Sequence, residues 1–173
     1  VFGKAIGNGY ALTAIIGKQE VMEHAQASFI SSTFWTERIG PAAACKTLEV
    51  MNNLNSWTMI TDIGARIKKD WTSMFNSYGI EIETSGLTAL PVFSVKGSNS
   101  LAYKTLITQE MLKMGYLASN TVYVCTEHTP QVLDGYFNRL ESVIKLIAEC
   151  EDGRDVNTLL DGPVCQSGFK RLN

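Results

Sequence analysis

The sequence predicts a mixed α/β protein, and three features predict it. The apolar run Val1-Phe2 delivers a lysine, Lys4, into a turn punctuated by Gly7 and Gly9, and the stretch 10–16 then reads as a strand closed by Gly17. Two long segments carry apolar residues at helical spacing: Ile60, Ile63, Ile67, Trp71, Met74 and Phe75 in one, and Val132, Leu133, Tyr136, Phe137, Leu140, Val143, Ile144 and Ile147 in the other. Recurrence at three and four residues puts those side chains on one buried face. Between them, β-prone runs at 80–83, 90–95 and 121–125 alternate with a further helical segment near 105–114. Strands interleaved with amphipathic helices from about Asn55 onward describe a compact α+β unit.

The elements follow in order. Residues 18–26 can form a short helix, and 28–36 is an irregular, hydroxyl-rich connector. Pro41 suits the first turn of a helix, where its missing N–H costs nothing. Ala42, Ala43, Ala44, Leu48 and Met51 carry that helix to about Asn53, with small residues that let it lie tight against a neighbour. Ser56 is placed to cap the next helix, and Gly79 ends it. A turn at Ser85-Gly86 separates the first two strands of the α+β unit, with Pro91 marking an edge position. Gly115 stops the third helix. Thr129-Pro130 pairs a capping hydroxyl with a proline at the first helical position. Glu151-Asp152-Gly153-Arg154-Asp155 is a polar break, and the tail to Asn173 has no clear period.

Composition bounds the function. With 15 basic and 17 acidic residues, the 173-residue chain carries a formal net charge of −2 and no basic block that would suit nucleic acid or an anionic membrane. No apolar run approaches the roughly 20 residues that span a bilayer, so a cytoplasmic location is expected. The chain opens on Val1 rather than methionine and reads as an excerpt or a processed chain. Cys45, Cys125, Cys150 and Cys165 are scattered, without metal-ligand spacing, and read as buried free thiols; no metal site is expected. His24 and His128 read as surface histidines.

Lys4 carries the chemistry. Glycines beside it let the backbone turn sharply and approach a ligand, and a partly desolvated lysine can lose its proton and attack a carbonyl. The alternative from these residues alone is a solvated lysine beside an ordinary turn.

The segment Gly3-Lys4-Ala5-Ile6-Gly7-Asn8-Gly9-Tyr10-Ala11-Leu12-Thr13-Ala14 resembles the cofactor-lysine segment of class-III aminotransferases, which depend on pyridoxal 5'-phosphate (PLP). The stretch from Ser31 to Ala44 falls where that family has a Gly-Thr-x-x-Gly-Asn-Pro-type loop, and the run from Ser56 to Glu149 follows the family's small domain in length and order of elements. The resemblance is nearest to the glutamate-1-semialdehyde aminomutase-like branch. It spans essentially the whole chain but only the second half, or less, of a complete enzyme.

The resemblance implies the end of a large, fold-type-I PLP-dependent transferase domain with its interdomain helix at 1–54, and a small α+β C-terminal domain with a tail at 55–173. It implies that Lys4 holds the cofactor as an internal aldimine and moves a proton during transfer. It further implies a homodimer with shared active sites, in which Thr36, or Thr33 or Ser32 if the loop is longer, meets the phosphate of the neighbouring subunit's cofactor. Substrates would be a small-molecule amino donor and a carbonyl acceptor. Ile39-Gly40 replaces the family's Gly-Asn, and Phe34, Trp35, Glu37 and Arg38 make the loop bulkier and more charged. Arg38 is expected to pair with Glu37, with a substrate carboxylate as the alternative. The excerpt alone is expected to be inactive. Two other readings stay open: an aminomutase that returns the amino group to the same molecule, and a non-catalytic α+β binding module.

Overall fold

The computed structural model describes residues 1–34 and 36–168; Trp35 and the end of the tail, 169–173, lie outside the described residues. The chain divides into two compact units, Val1–Trp57 and Thr58–Asn173.

The first unit has little regular structure before its main helix. Lys4–Ile6 is a single 3-10 turn, and helix α1, Gln19–Met22, tightens into a second 3-10 turn at Glu23–Ala27. The expected strand at 10–16 does not form. Phe2 and Ala14 instead make one antiparallel bridge, exchanging N–H···O bonds of 2.7 and 2.8 Å. A strand exists only where a partner satisfies its backbone, and among the described residues Phe2 alone pairs with this stretch. Helix α2, Ile39–Leu54, begins two residues before Pro41 and ends at Asn55, whose φ of 51° is left-handed. Helix α3, Ser56–Ser77, follows at once. Ser56 is therefore not the cap expected of it: Asn55 before it is left-handed rather than extended, and the buried Ser56 Oγ has no hydrogen-bond partner among the described residues. Much of this unit's apolar surface is open, with Phe29 95% exposed and Ile16 67%.

The second unit closes around a dense core. The face of α3 reads as expected, with Ile67, Trp71 and Phe75 fully buried. Strands β1, Ile82–Ser85, and β2, Val92–Val95, form an antiparallel hairpin with Ile82 opposite Val95 and Ser85 opposite Val92. The expected third strand at 121–125 reduces to one bridge, Val92 with Thr121. Bonds from Phe93 N to Asn120 O, Val122 N to Pro91 O and Val124 N to Ala89 O still bind that segment alongside β2. Consequently β2 is flanked on both sides, and Pro91, expected on an edge, sits just outside the strand with its carbonyl bonded.

Helix α4, Ser100–Lys113, starts earlier than its sequence pattern suggests, and α5, Pro130–Glu151, starts as expected, with the Thr129 side chain accepting from Val132 N. Of the α5 stripe only Val132 is exposed. Aromatic rings fill the centre: Phe93 lies 4.6 Å from Trp71 and 5.2 Å from Phe75 between centroids. Trp71 Nε1 donates to Tyr136 Oη at 2.9 Å, which satisfies a polar pair that burial would otherwise penalise. Each such fully buried large side chain contributes about 1.5–3 kcal/mol.

Tyr103 gives this core an alkaline limit. Burial, and secondarily the bond its hydroxyl donates to Glu151, push its pKa up from 10.0 to about 12. The native state then holds this proton more tightly than the unfolded chain does. The resulting stability is full below pH 10 and is lost as pH rises toward 12. Between those values the urea midpoint of Tyr103→Phe is expected to fall less than that of the parent chain. Parallel pH profiles for the two proteins would contradict the linkage.

The cysteines are free, but only Cys150 is buried; Cys45 and Cys125 are exposed, against the sequence expectation, because each falls off its segment's apolar face. His128 is committed to local structure, its Nδ1 accepting from Cys125 N at 3.1 Å. No helix among the described residues is long and apolar enough to cross a membrane.

Candidate active site

Lys4 lies in a turn, where the sequence places it, but the strand expected to leave that turn does not form. Lys4 opens the 3-10 turn with φ of 53°, a left-handed value uncommon for a residue with a side chain. The turn is closed by Gly7 N to Lys4 O at 3.1 Å, Asn8 N to Ala5 O at 3.1 Å and Tyr10 N to Gly7 O at 3.0 Å. Gly7 is required there, since a Cβ would fall 2.2 Å from the Tyr10 carbonyl oxygen. The Lys4 side chain is exposed rather than partly desolvated, and its amine makes no hydrogen bond or ion pair among the described residues.

Helix α2 packs on that turn. At the start of α2, Gly40 is buried against the stretch that follows the turn, and its absent Cβ would lie 2.8 Å from the Ala11 carbonyl oxygen. Sequence reasoning marked Gly40 only as a departure from a family loop. Its role was legible at most as a run of small residues, Gly40-Pro41-Ala42, because the neighbour it accommodates lies far along the chain.

Thr33 and Thr36 are both exposed on the connector that leads into α2, and no hydrogen bond joins either to Lys4 among the described residues. Ser32, the other candidate, uses its Oγ to accept from Phe34 N at 3.1 Å, a local turn bond. Arg38 and Glu37 do not form the expected ion pair. The Arg38 carbonyl accepts from Ala42 N at 3.0 Å to open α2, and that backbone geometry leaves Arg38 exposed and Glu37 half-buried. Beside the connector lies an open groove of about 670 Å³. Thr13, Ile15, Met22, Ile30, Ser32 and Phe34 line it, and Lys4 does not. No cluster of metal-ligating side chains occurs among the described residues.

The residues present fit an aldehyde-bearing anionic cofactor. An accessible, unpaired primary amine is the group that condenses with an aldehyde. Hydroxyls ahead of a helix N-terminus are suited to a phosphate.

Comparison with known proteins agrees. In a solved structure titled the PLP internal aldimine form of the FumI protein of Sphingopyxis sp. MTA144, the fold recurs with a TM-score of 0.78 over 91% of this chain and 39% of that one, at 17% identity. The chain thus shares the fold of the matching part of that PLP-binding protein. Among curated relatives, a 3-aminobutyryl-CoA aminotransferase of Cloacimonas acidaminovorans (strain Evry) is 29% identical over 140 residues, 76% of this chain and 33% of the relative. A glutamate-1-semialdehyde 2,1-aminomutase of Hyperthermus butylicus (strain DSM 5456 / JCM 9403 / PLM1-5) is 24% identical over 161 residues, 83% of this chain and 38% of the relative. No family model matches the chain. The chain is thus homologous to the C-terminal portion of class-III PLP-dependent aminotransferases, the aminomutase among them. It spans little more than a third of the length of these relatives.

Proposed function

We propose that this chain is the C-terminal part of a PLP-dependent aminotransferase that transfers an amino group between a small-molecule donor and a carbonyl acceptor. Residues 1–54 are the end of its large cofactor-binding domain with the interdomain helix, and 55–173 its small domain and tail. The observation that carries the reading is the exposed Lys4 amine, unpaired among the described residues, on a tightly closed turn against α2, in a chain homologous to class-III aminotransferases. PLP, when bound, supplies an electron sink for the charge left at the substrate's reacting carbon. Lys4 would hold the cofactor through Nζ, and the same amine would take up and deliver a proton at that carbon. The Lys4–Ile6 turn sets the direction of the amine, and α2 braces the turn.

The active form is proposed to be a cytoplasmic homodimer, each subunit lending its Ser31–Gly40 loop to the other's site, with Thr36 donating to the cofactor phosphate and Thr33 as the alternative donor. A charge-assisted hydrogen bond contributes on the order of 1.5–3 kcal/mol. Thr36→Val should therefore weaken PLP retention roughly ten- to a hundredfold while turnover persists at saturating cofactor. Mixing Lys4→Ala subunits with Thr36→Val subunits tests the sharing directly. If the loop crosses, one site of the mixed dimer carries both defects and the other neither, so native-like activity returns. Two singly defective sites would instead assign the loop to its own subunit.

The similarity to an aminomutase over 161 residues favours one second reading, return of the amino group to the same molecule. Following labelled nitrogen into an added acceptor separates the two. A complete protein that never binds PLP would be a binding module instead.

A further inference from the structure

The sequence reading found no order after Glu151, yet the structure shows the following segment pinned to a single ridge of α4. Leu101, Thr105, Gln109 and Lys113 stand four residues apart and so line one face of that helix. Each of them bonds the tail. Gln109 grips the backbone with both ends of its carboxamide: Nε2 donates to Leu159 O at 2.8 Å and Oε1 accepts from Asp161 N at 2.7 Å. Lys113 Nζ meets Asp161 Oδ2 at 2.8 Å. At the other end of the ridge, Thr105 Oγ1 accepts from Cys165 N at 2.9 Å, and the Cys165 thiol donates to Leu101 O at 3.5 Å. The tail therefore runs antiparallel to the helix, with Asp161 over the C-terminal half of the ridge and Cys165 over the first half.

We propose that residues 155–165 form a strap that opens and closes independently of the α3–α5 core, with the Gln109 side chain as its clasp. Its attachments are of a different kind from those of the core. Beyond the single 3-10 turn Val156–Leu159, the strap has no regular backbone pairing, and its hold depends on side chains reaching its main chain. Val156 is its one fully buried residue, with Leu159 and Leu160 partly buried against the core. At its base Gly153 has φ of 112°, a conformation that suits a hinge. Segments with few buried apolar contacts and exposed polar bonds open at lower free energy than the core beneath them. The strap also accounts for the composition of α4. One face of that helix, with Tyr103, Leu106, Ile107 and Met111, is buried in the core, while the polar ridge beside it is matched to backbone groups.

Native-state hydrogen exchange of the full chain tests the clasp. Gln109→Leu keeps the size of the side chain and removes both bonds. Exchange at Asp161 and Cys165 N–H is expected to quicken roughly ten- to a hundredfold, with amides in the middle of α5, such as Ile144, unchanged. Tryptic cleavage after Arg154 should quicken in step. Thr105→Val provides a milder second variant, expected to free Cys165 N–H more than Asp161 N–H. Equal acceleration at Ile144 would make the strap part of the global fold. No acceleration at Asp161 would remove Gln109 as its clasp. If Gln109→Leu proves too unstable to measure, a Thr105→Val profile that is flat or uniform overturns the proposal by itself.

Discussion

Lys4→Ala in the complete enzyme is expected to lower turnover by at least about a thousandfold and to leave the fold intact. The amine has two duties in the proposed reaction, covalent hold on the cofactor and proton transfer at the substrate carbon, and positioned proton transfer alone is worth about 10²–10⁴ in rate. The fold should survive because Lys4 is exposed and contributes only backbone to its turn, through the carbonyl that accepts from Gly7 N. Its φ of 53° does carry some strain, which a glycine would relieve and an alanine would not. Lys4→Gly is therefore a useful companion, expected to be as inactive and at least as stable. Borohydride treatment of the PLP-loaded parent should leave a stable adduct on the Lys4 peptide, seen by mass spectrometry and absent from both variants. Folded Lys4→Ala protein with near-normal transamination would end the assignment. Partial rescue by small added amines would support it, since they can replace the missing group at the reacting carbon.

Gly64→Ala is expected to destabilise the second unit by up to about 2 kcal/mol, against the sign that helix propensity gives. In an exposed helix interior this change stabilises by about 1 kcal/mol. Gly64 is instead the point where α3 meets the loop between β1 and β2. A Cβ there would lie 1.7 Å from the Thr88 carbonyl oxygen and 2.6 Å from its carbon, both backbone atoms. The loop has little freedom to retreat. Lys68 Nζ holds the Gly86 carbonyl at 2.6 Å, and the Ala89 carbonyl accepts from Val124 N at 3.1 Å. Forcing a methyl into such a contact shifts backbone, which typically costs 1–3 kcal/mol before the propensity gain is counted. A urea midpoint lowered at unchanged slope is the expected signature. A rise in the midpoint would show that the loop yields and that propensity decides.

What the sequence alone determined is local in its physics. The stripes of α3 and α5 were legible because a one-sided helix writes its buried face as a period, and Trp71, Phe75, Leu140 and Ile144 are accordingly buried. Thr129-Pro130 was legible as a helix start because capping depends on neighbours three residues away. The family was legible as a resemblance, and the homology to class-III aminotransferases bears out that part of the reading. What only the tertiary structure decided depends on partners distant in the chain. Residues 10–16 and 121–125 have strand-like composition, but a strand needs a ladder, and each finds only a single bridge. The purpose of Gly40 lies at Ala11 and that of Gly64 at Thr88, contacts no local pattern records. The ridge of Thr105, Gln109 and Lys113 reads as a solvated helix face until the strap is laid across it. Periodicity reports which side of an element avoids water, whereas hydrogen-bond pairing and steric fit between remote segments exist only once the chain has folded.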